Sequence, residues 1–133
     1  MKKLLIITLA LIVVTVPALA DFESDFNSYA PMYSLDQLTK VSAFGYKLTN
    51  VEIMITDDIT LYSSEKDIPE LLSAACCTLR SIDNEGSMID QYGKLLHAYF
   101  MARSGGEKRS TTESGVIIYF SISDDLATVR LVK

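Results

Sequence analysis

Two adjacent cysteines, Cys76 and Cys77, and the single histidine, His97, are the residues of this chain best suited to covalent chemistry. A thiolate beside an imidazole can act as an activated nucleophile. The cysteines lie in a segment with helical spacing, where neighbouring side chains point about 100° apart, so a disulfide between them would be strained. Thioredoxin-type redox motifs keep two residues between their cysteines. The pair therefore does not favour redox chemistry.

The position of each cysteine on the predicted helix indicates a structural role. Cys76 borders the apolar stripe, as expected of a small buried hydrophobic residue. Cys77 lies opposite the centre of that stripe, and three alternatives stay open: it packs beneath the N-terminal segment, pairs with another chain, or remains a free thiol. A nucleophilic pair of Cys77 and His97 is disfavoured, because a reactive thiolate needs a positive, partly exposed setting at a helix start. We expect His97 to be solvated and predict no catalytic residue.

Two pairs of adjacent aspartates, Asp57-Asp58 and Asp124-Asp125, share the pattern apolar, hydroxyl, Asp, Asp, apolar. The repeat is typical of a duplicated hairpin, or of paired acidic loops that bind a cation. The simpler interpretation is that turns between strands favour aspartate. Two acids per loop fall short of the roughly six to eight oxygens that calcium takes. We therefore predict no metal site, and the lack of a glycine-rich phosphate loop predicts no cofactor.

An aromatic-rich stretch near the N-terminus is the best candidate for a ligand or partner surface. Tyrosine rings combine an apolar body with a polar end, and such rings can line an apolar groove. The alternative is that they cover the sheet as ordinary core. The candidate residues are Phe22, Phe26, Tyr29, Tyr33, Phe44 and Tyr46.

The first 20 residues have the three parts of an export signal. Two lysines follow the initial methionine, an apolar run fills residues 4–16, and a small-x-small cleavage site ends at Ala20. We predict a signal peptide over residues 1–20 and a soluble bacterial protein, periplasmic or extracellular. The alternative is a retained membrane anchor, because the apolar segment approaches the about 20 residues needed to cross a bilayer.

Composition restricts the class of partner. The chain has 133 residues, with 12 basic and 17 acidic side chains and a net charge of −5 at pH 7. Loss of the two leader lysines leaves about 113 residues and a net charge of about −7, enough for one small domain. A nucleic-acid binder needs a basic footprint that neutralises phosphates. In the mature chain only Lys108 and Arg109 are adjacent basic residues, so nucleic acid is not an expected partner.

Alternating apolar residues predict four strands. Residues 51–56 and 59–62 predict one β-hairpin, and residues 116–123 and 127–132 predict a second. The strand over 116–123 is apolar on both faces along most of its length, which favours a central place in the sheet. The polar residues 107–113 predict a mobile surface loop.

Helical spacing predicts two main helices. One has an apolar stripe from Ile68 to Ile82. The other begins after Ser87, a capping residue, and stops before Gly105. Its stripe is wide and aromatic and is predicted to be core: Met88, Ile89, Tyr92, Leu95, Leu96, Tyr99 and Phe100.

These elements predict an α+β fold: an antiparallel sheet of about four strands, in two hairpins, with two main helices packed on one face in the order (α)ββααββ. Residues 21–44 form an N-terminal aromatic-rich segment with a short helix before Pro31. Residues 45–133 form the single α+β domain.

The sequence has no metal-ligand set, catalytic triad or cofactor loop. We therefore expect an exported, non-enzymatic domain that binds a partner protein or a small apolar ligand. A first alternative is a structural homo-oligomer, in which the last strand pairs edge to edge with a copy of itself. A second is a small exported thiol-dependent hydrolase that uses Cys77 and His97. After signal cleavage we expect no interaction with a membrane.

Overall fold

Seven antiparallel strands form one sheet in the computed structural model, which describes the backbone of residues 17–133 and the side chains from Phe22 onwards. The strands are β1 (Thr39–Lys40), β2 (Gly45–Lys47), β3 (Glu52–Ile55), β4 (Ile59–Ser64), β5 (Lys108–Thr111), β6 (Ile117–Ser123) and β7 (Leu126–Val132). Their order across the sheet is β1-β2-β3-β4-β7-β6-β5. A four-stranded meander, β1-β2-β3-β4, and a three-stranded one, β5-β6-β7, therefore meet where β4 pairs with β7.

Three α-helices accompany the sheet in the described part of the chain. They are α1 (Pro17–Tyr29), α2 (Ile68–Ile82) and α3 (Met88–Ala102), with short 3-10 helices at Ala30–Tyr33 and Glu65–Asp67. Proline occupies the first turn of α2, where its missing N–H costs no hydrogen bond. The Ser87 side chain accepts a hydrogen bond from the Asp90 N–H at 3.3 Å and caps α3. The predicted spans of the two main helices are confirmed.

One face of the sheet is buried under the helices. Helix α2 packs on β4 and β7, and α3 packs on β5 and β6. Helix α1 packs on α2 and reaches the sheet where the Phe22 ring contacts Tyr46 of β2. The inward row Ile53, Leu61, Val129 and Phe120 crosses four strands in register, and all four side chains are fully buried.

The predicted fold is wrong in the number of strands and in the element order. The structure has seven strands instead of four and the order αββββααβββ, with a well-formed α1. Strands β1 and β2 span only two and three residues, too few to show alternation. Strand β5 lies in the stretch that was predicted to be a mobile loop. The prediction missed it because the residue that β5 buries is Ser110, which is not apolar.

The last strand, β7, is not an edge strand. It pairs with β4 on one side and with β6 on the other, while β1 and β5 are the edges of the sheet. Its main-chain groups are thus satisfied within the chain, and β7 has no free side for the edge-to-edge pairing considered above. The strand over 117–123 has neighbours on both sides but lies next to the β5 edge, not at the centre.

A polar side chain, Gln91, is buried on the inner face of α3, in its first turn. It is 2 % exposed, and its Nε2 donates to the Asp83 carbonyl at 2.9 Å. Arg80 donates to the Asn84 and Gly86 carbonyls of the same connection between α2 and α3. These bonds replace the water that a buried amide and a helix end would otherwise need.

Candidate functional site

The N-terminal aromatic candidates do not form one surface. Phe22, Phe26 and Tyr46 are buried, and the Phe22 ring lies 5.9 Å from the Phe26 ring and 6.0 Å from the Tyr46 ring, centroid to centroid. This cluster joins α1 to the sheet. These three rings are therefore core, as the alternative interpretation held.

The other three candidates are dispersed. Tyr29 and Tyr33 pack against the core and are partly buried, whereas Phe44 is 52 % exposed in the connection between β1 and β2. Burial and the nearby Cys76 and Cys77 raise the pKa of Tyr33. Of the six residues, Tyr33 is the one that lines the groove described below.

Both cysteines are buried, and neither forms a disulfide. Cys77 packs beneath α1, the first of the three alternatives, and its Sγ donates to the Phe26 carbonyl at 3.4 Å. Cys76 is 4 % exposed. Burial raises the pKa of both thiols to about 12, so they are neutral at physiological pH.

The structure does not bring Cys77 and His97 together as a nucleophilic pair. His97 is exposed on α3, whereas Cys77 is fully buried on the side of α2 that faces α1. Within residues 17–133, histidine, cysteine and acidic side chains form no group that could hold a metal ion.

The two acidic turns lie at opposite ends of the sheet. Ile59, beside the first turn, pairs with Leu131, while Leu126, beside the second, pairs with Ser64 at the far end of β4. Asp58 of the first turn forms an ion pair with Arg130 at 3.2 Å. This geometry excludes one cation site shared by both turns.

The outward face of α3 is the main apolar feature of the described surface. The aromatic stripe was predicted to be core, but four of its seven residues are exposed: Ile89 is 87 % exposed, Phe100 57 %, Tyr92 51 % and Met88 40 %. With about 100° per residue, the outward positions fall within one third of the helix circumference. We call these residues the outer stripe: Ile89, Tyr92, Gly93, Leu96 and Phe100.

The opposite face of α3 is the one that packs on the sheet and on α2. Leu95, Ala98 and Ala102 are buried there together with Gln91. The helix therefore carries apolar residues on two opposite faces, of which the fold covers one. The periodicity contains this signal, because the predicted stripe together with Ala98 and Ala102 covers about 200° of the helix circumference, too wide to face one core.

An apolar groove adjoins the N-terminal half of the outer stripe. It has a volume of about 420 Å³ and runs between α3, α2 and the 3-10 helix at Ala30–Tyr33. We call it the α3 groove. It is lined by Tyr33, Cys76, Met88, Ile89, Gln91, Tyr92 and Gly93.

Comparisons with protein families, with curated proteins and with solved structures find no match to this chain. None of the helices described between residues 17 and 133 has the length and apolar character needed to span a bilayer.

The buried thiols make stability depend on pH. In the folded state the pKa of both thiols is raised from 9.0 to about 12. The stabilisation of the fold by neutral, buried thiols is therefore complete below pH 9, and it is lost as the pH rises from 9 towards 12. We expect the free energy of unfolding, measured with urea, to fall in that window by roughly 1.4 kcal/mol per pH unit for each thiol.

The control is the double variant Cys76→Ala, Cys77→Ala, which keeps every tyrosine and lysine. Its free energy of unfolding should fall less steeply above pH 9 than that of the wild type. Equal slopes in the two proteins would show that the thiols ionise as readily in the folded chain as in the unfolded one.

Proposed function

We propose that this chain is an exported, non-enzymatic interaction domain that binds a protein partner through the outer stripe of α3. The observation that carries the proposal is the exposure of Ile89, Tyr92 and Phe100 along one helix face. Solvent-exposed apolar side chains grouped on one surface are typical of binding sites.

The composition of the outer stripe suits recognition. Aromatic anchors bring large contact areas at low conformational cost, and binding energy concentrates on a few such residues. Burying an aliphatic or phenylalanine side chain contributes about 1.5–3 kcal/mol. Tyr92 adds a hydroxyl at the border of the stripe, which can stay hydrated in a complex.

A binding role also agrees with the state of the thiols. The hydrolase alternative needs an accessible thiolate, and Cys77 is fully buried with a pKa of about 12.

A small apolar ligand is the second candidate function, and the α3 groove favours it. The groove has a volume within the range of small-molecule sites, and its lining is mostly apolar. Gln91 supplies the amide on its wall, but that amide already donates to the Asp83 carbonyl.

The neutral dye Nile red tests whether this surface accepts apolar groups. Its fluorescence should rise on binding the wild type and fall several-fold with Ile89→Lys, since Ile89 is the most exposed of these side chains and a charge there leaves the core intact.

The control is Leu126→Lys, which changes a leucine that is 48 % exposed beside the turn between β6 and β7. It should bind the dye like the wild type. If Ile89→Lys binds the dye as well as the wild type does, neither the outer stripe nor the α3 groove is the apolar site.

Export is part of the proposal and depends on residues 1–20, most of which lie outside the described residues. The predicted cut after Ala20 falls inside α1, and the anchors of α1 to the core, Phe22 and Phe26, follow it. A mature chain that starts at Asp21 keeps both anchors.

The intact mass of the protein purified from an exporting bacterial host tests the leader. We expect the mass of a chain that begins at Asp21. A chain that keeps Met1 to Ala20 in the membrane fraction would contradict signal cleavage and support the retained anchor.

A further inference from the structure

We infer that the partner on the outer stripe is a second copy of this chain, with two α3 helices packed antiparallel about a two-fold axis. The inference rests on the proposed function, because it names the occupant of the same surface. Three features of α3 point to it: the spacing of its apolar residues, a glycine without a role inside the protomer, and the distribution of charge.

Four of the five residues of the outer stripe meet one another when the stripe is reversed, and the fifth, Tyr92, meets the exposed His97. Ile89 and Phe100 are equally distant from the midpoint of the stripe, and so are Gly93 and Leu96. In an antiparallel pair, Phe100 of one copy meets Ile89 of the other, and Leu96 meets Gly93. Ile89 and Phe100 are about 16 Å apart along the helix, so a single antiparallel arrangement forms the contact between Ile89 and Phe100 at both ends of the stripe.

Gly93 is a position where the protomer does not need glycine. A Cβ at this site would meet no atom of the described residues within 4 Å, and the backbone there is ordinary helix. Glycine in a helix interior costs about 1 kcal/mol relative to alanine. A flat spot in the middle of an apolar stripe gives room for a side chain such as Leu96 of a second helix.

Charge is also complementary in the antiparallel pair, to within one residue of that register. Glu85, just before α3, and Arg103, just after it, are both exposed and form no ion pair among the described residues. Antiparallel packing brings Glu85 of each copy to Arg103 of the other. It also sets the two helix dipoles head to tail, an arrangement that adds to the attraction.

The α3 groove gives the Phe100 ring a place to lie. Ile89 lines the groove and is also the residue that Phe100 of the second copy meets. A two-fold axis then places one ring at each of the two grooves, the isologous arrangement of most homodimers. The groove and the stripe thus form one interface and not two separate sites.

The expected dimer is reversible. One helix face is at the small end of specific interfaces, which bury about 1,200 Å² or more in total. A dissociation constant of roughly micromolar order follows from an interface of that size with a few aromatic anchors. At about 0.15 M salt, repulsion between the two acidic bodies is screened beyond about 8 Å, while contacts between Glu85 and Arg103 persist.

Sedimentation equilibrium with charge-swap variants tests the inference. Glu85→Arg makes both ends of the stripe positive, and Arg103→Glu makes both ends negative, so each variant alone should dimerise roughly tenfold more weakly than the wild type. An equimolar mixture of the two single variants should recover dimerisation as a heterodimer. The double variant should recover it as a homodimer.

The variant Gly93→Ala tests the packing between the two α3 helices independently of the folding of the monomer. Alanine should raise the urea midpoint of the monomer, because it is the better helix former and meets no neighbour. It should also weaken dimerisation several-fold, because its methyl group occupies the space for Leu96 of the second copy. A variant that is more stable and dimerises as well as the wild type would contradict the antiparallel packing.

The outcomes distinguish this inference from the proposed function. A wild type that remains monomeric up to about 200 µM, well above the expected dissociation constant, overturns the second copy as partner. If Nile red binding is still lost with Ile89→Lys, the binding surface stands and its occupant is a different protein or a small apolar ligand. If dimers form but resist the charge swaps, the interface lies elsewhere on the chain.

Discussion

A helix that lies on a sheet can bury one of its long sides, and α3 carries apolar residues on two. Leu95, Ala98 and Ala102 cover β5 and β6, so Ile89 and Phe100 have to face away from the core. Apolar area in contact with water costs about 25 cal/mol per Å² relative to burial. This geometric constraint leaves the protomer with an unsatisfied apolar surface and underlies both proposals.

Helix α2 shows how the same fold covers a helix on two sides. Its outer side carries a small residue, Cys77, which is fully buried against α1. Small side chains let α1 approach closely enough for the Cys77 thiol to donate to the Phe26 carbonyl. Within the described residues, the outer face of α3 has no such cover.

The sequence predicts those elements whose apolar residues are numerous and periodic. The hairpins β3-β4 and β6-β7 and the spans of α2 and α3 follow from alternation and from stripes. The short strands β1 and β2 lie below the length at which a period can be seen, and β5 buries a serine. On α3 the buried face includes Gln91, whose partner, the Asp83 carbonyl, is fixed by the tertiary fold. Hydropathy alone therefore could not tell the two faces of α3 apart.

The central claim is that the outer stripe is exposed in the protomer and covered on association. Hydroxyl-radical footprinting at increasing protein concentration measures this directly, with the fully buried Phe26 as the internal reference. In dilute solution Phe100 and Tyr92 should be oxidised far faster than Phe26, and both should become protected as the concentration rises. Protection of Phe100 equal to that of Phe26 in dilute solution would contradict the account, because the stripe would then be buried within one chain.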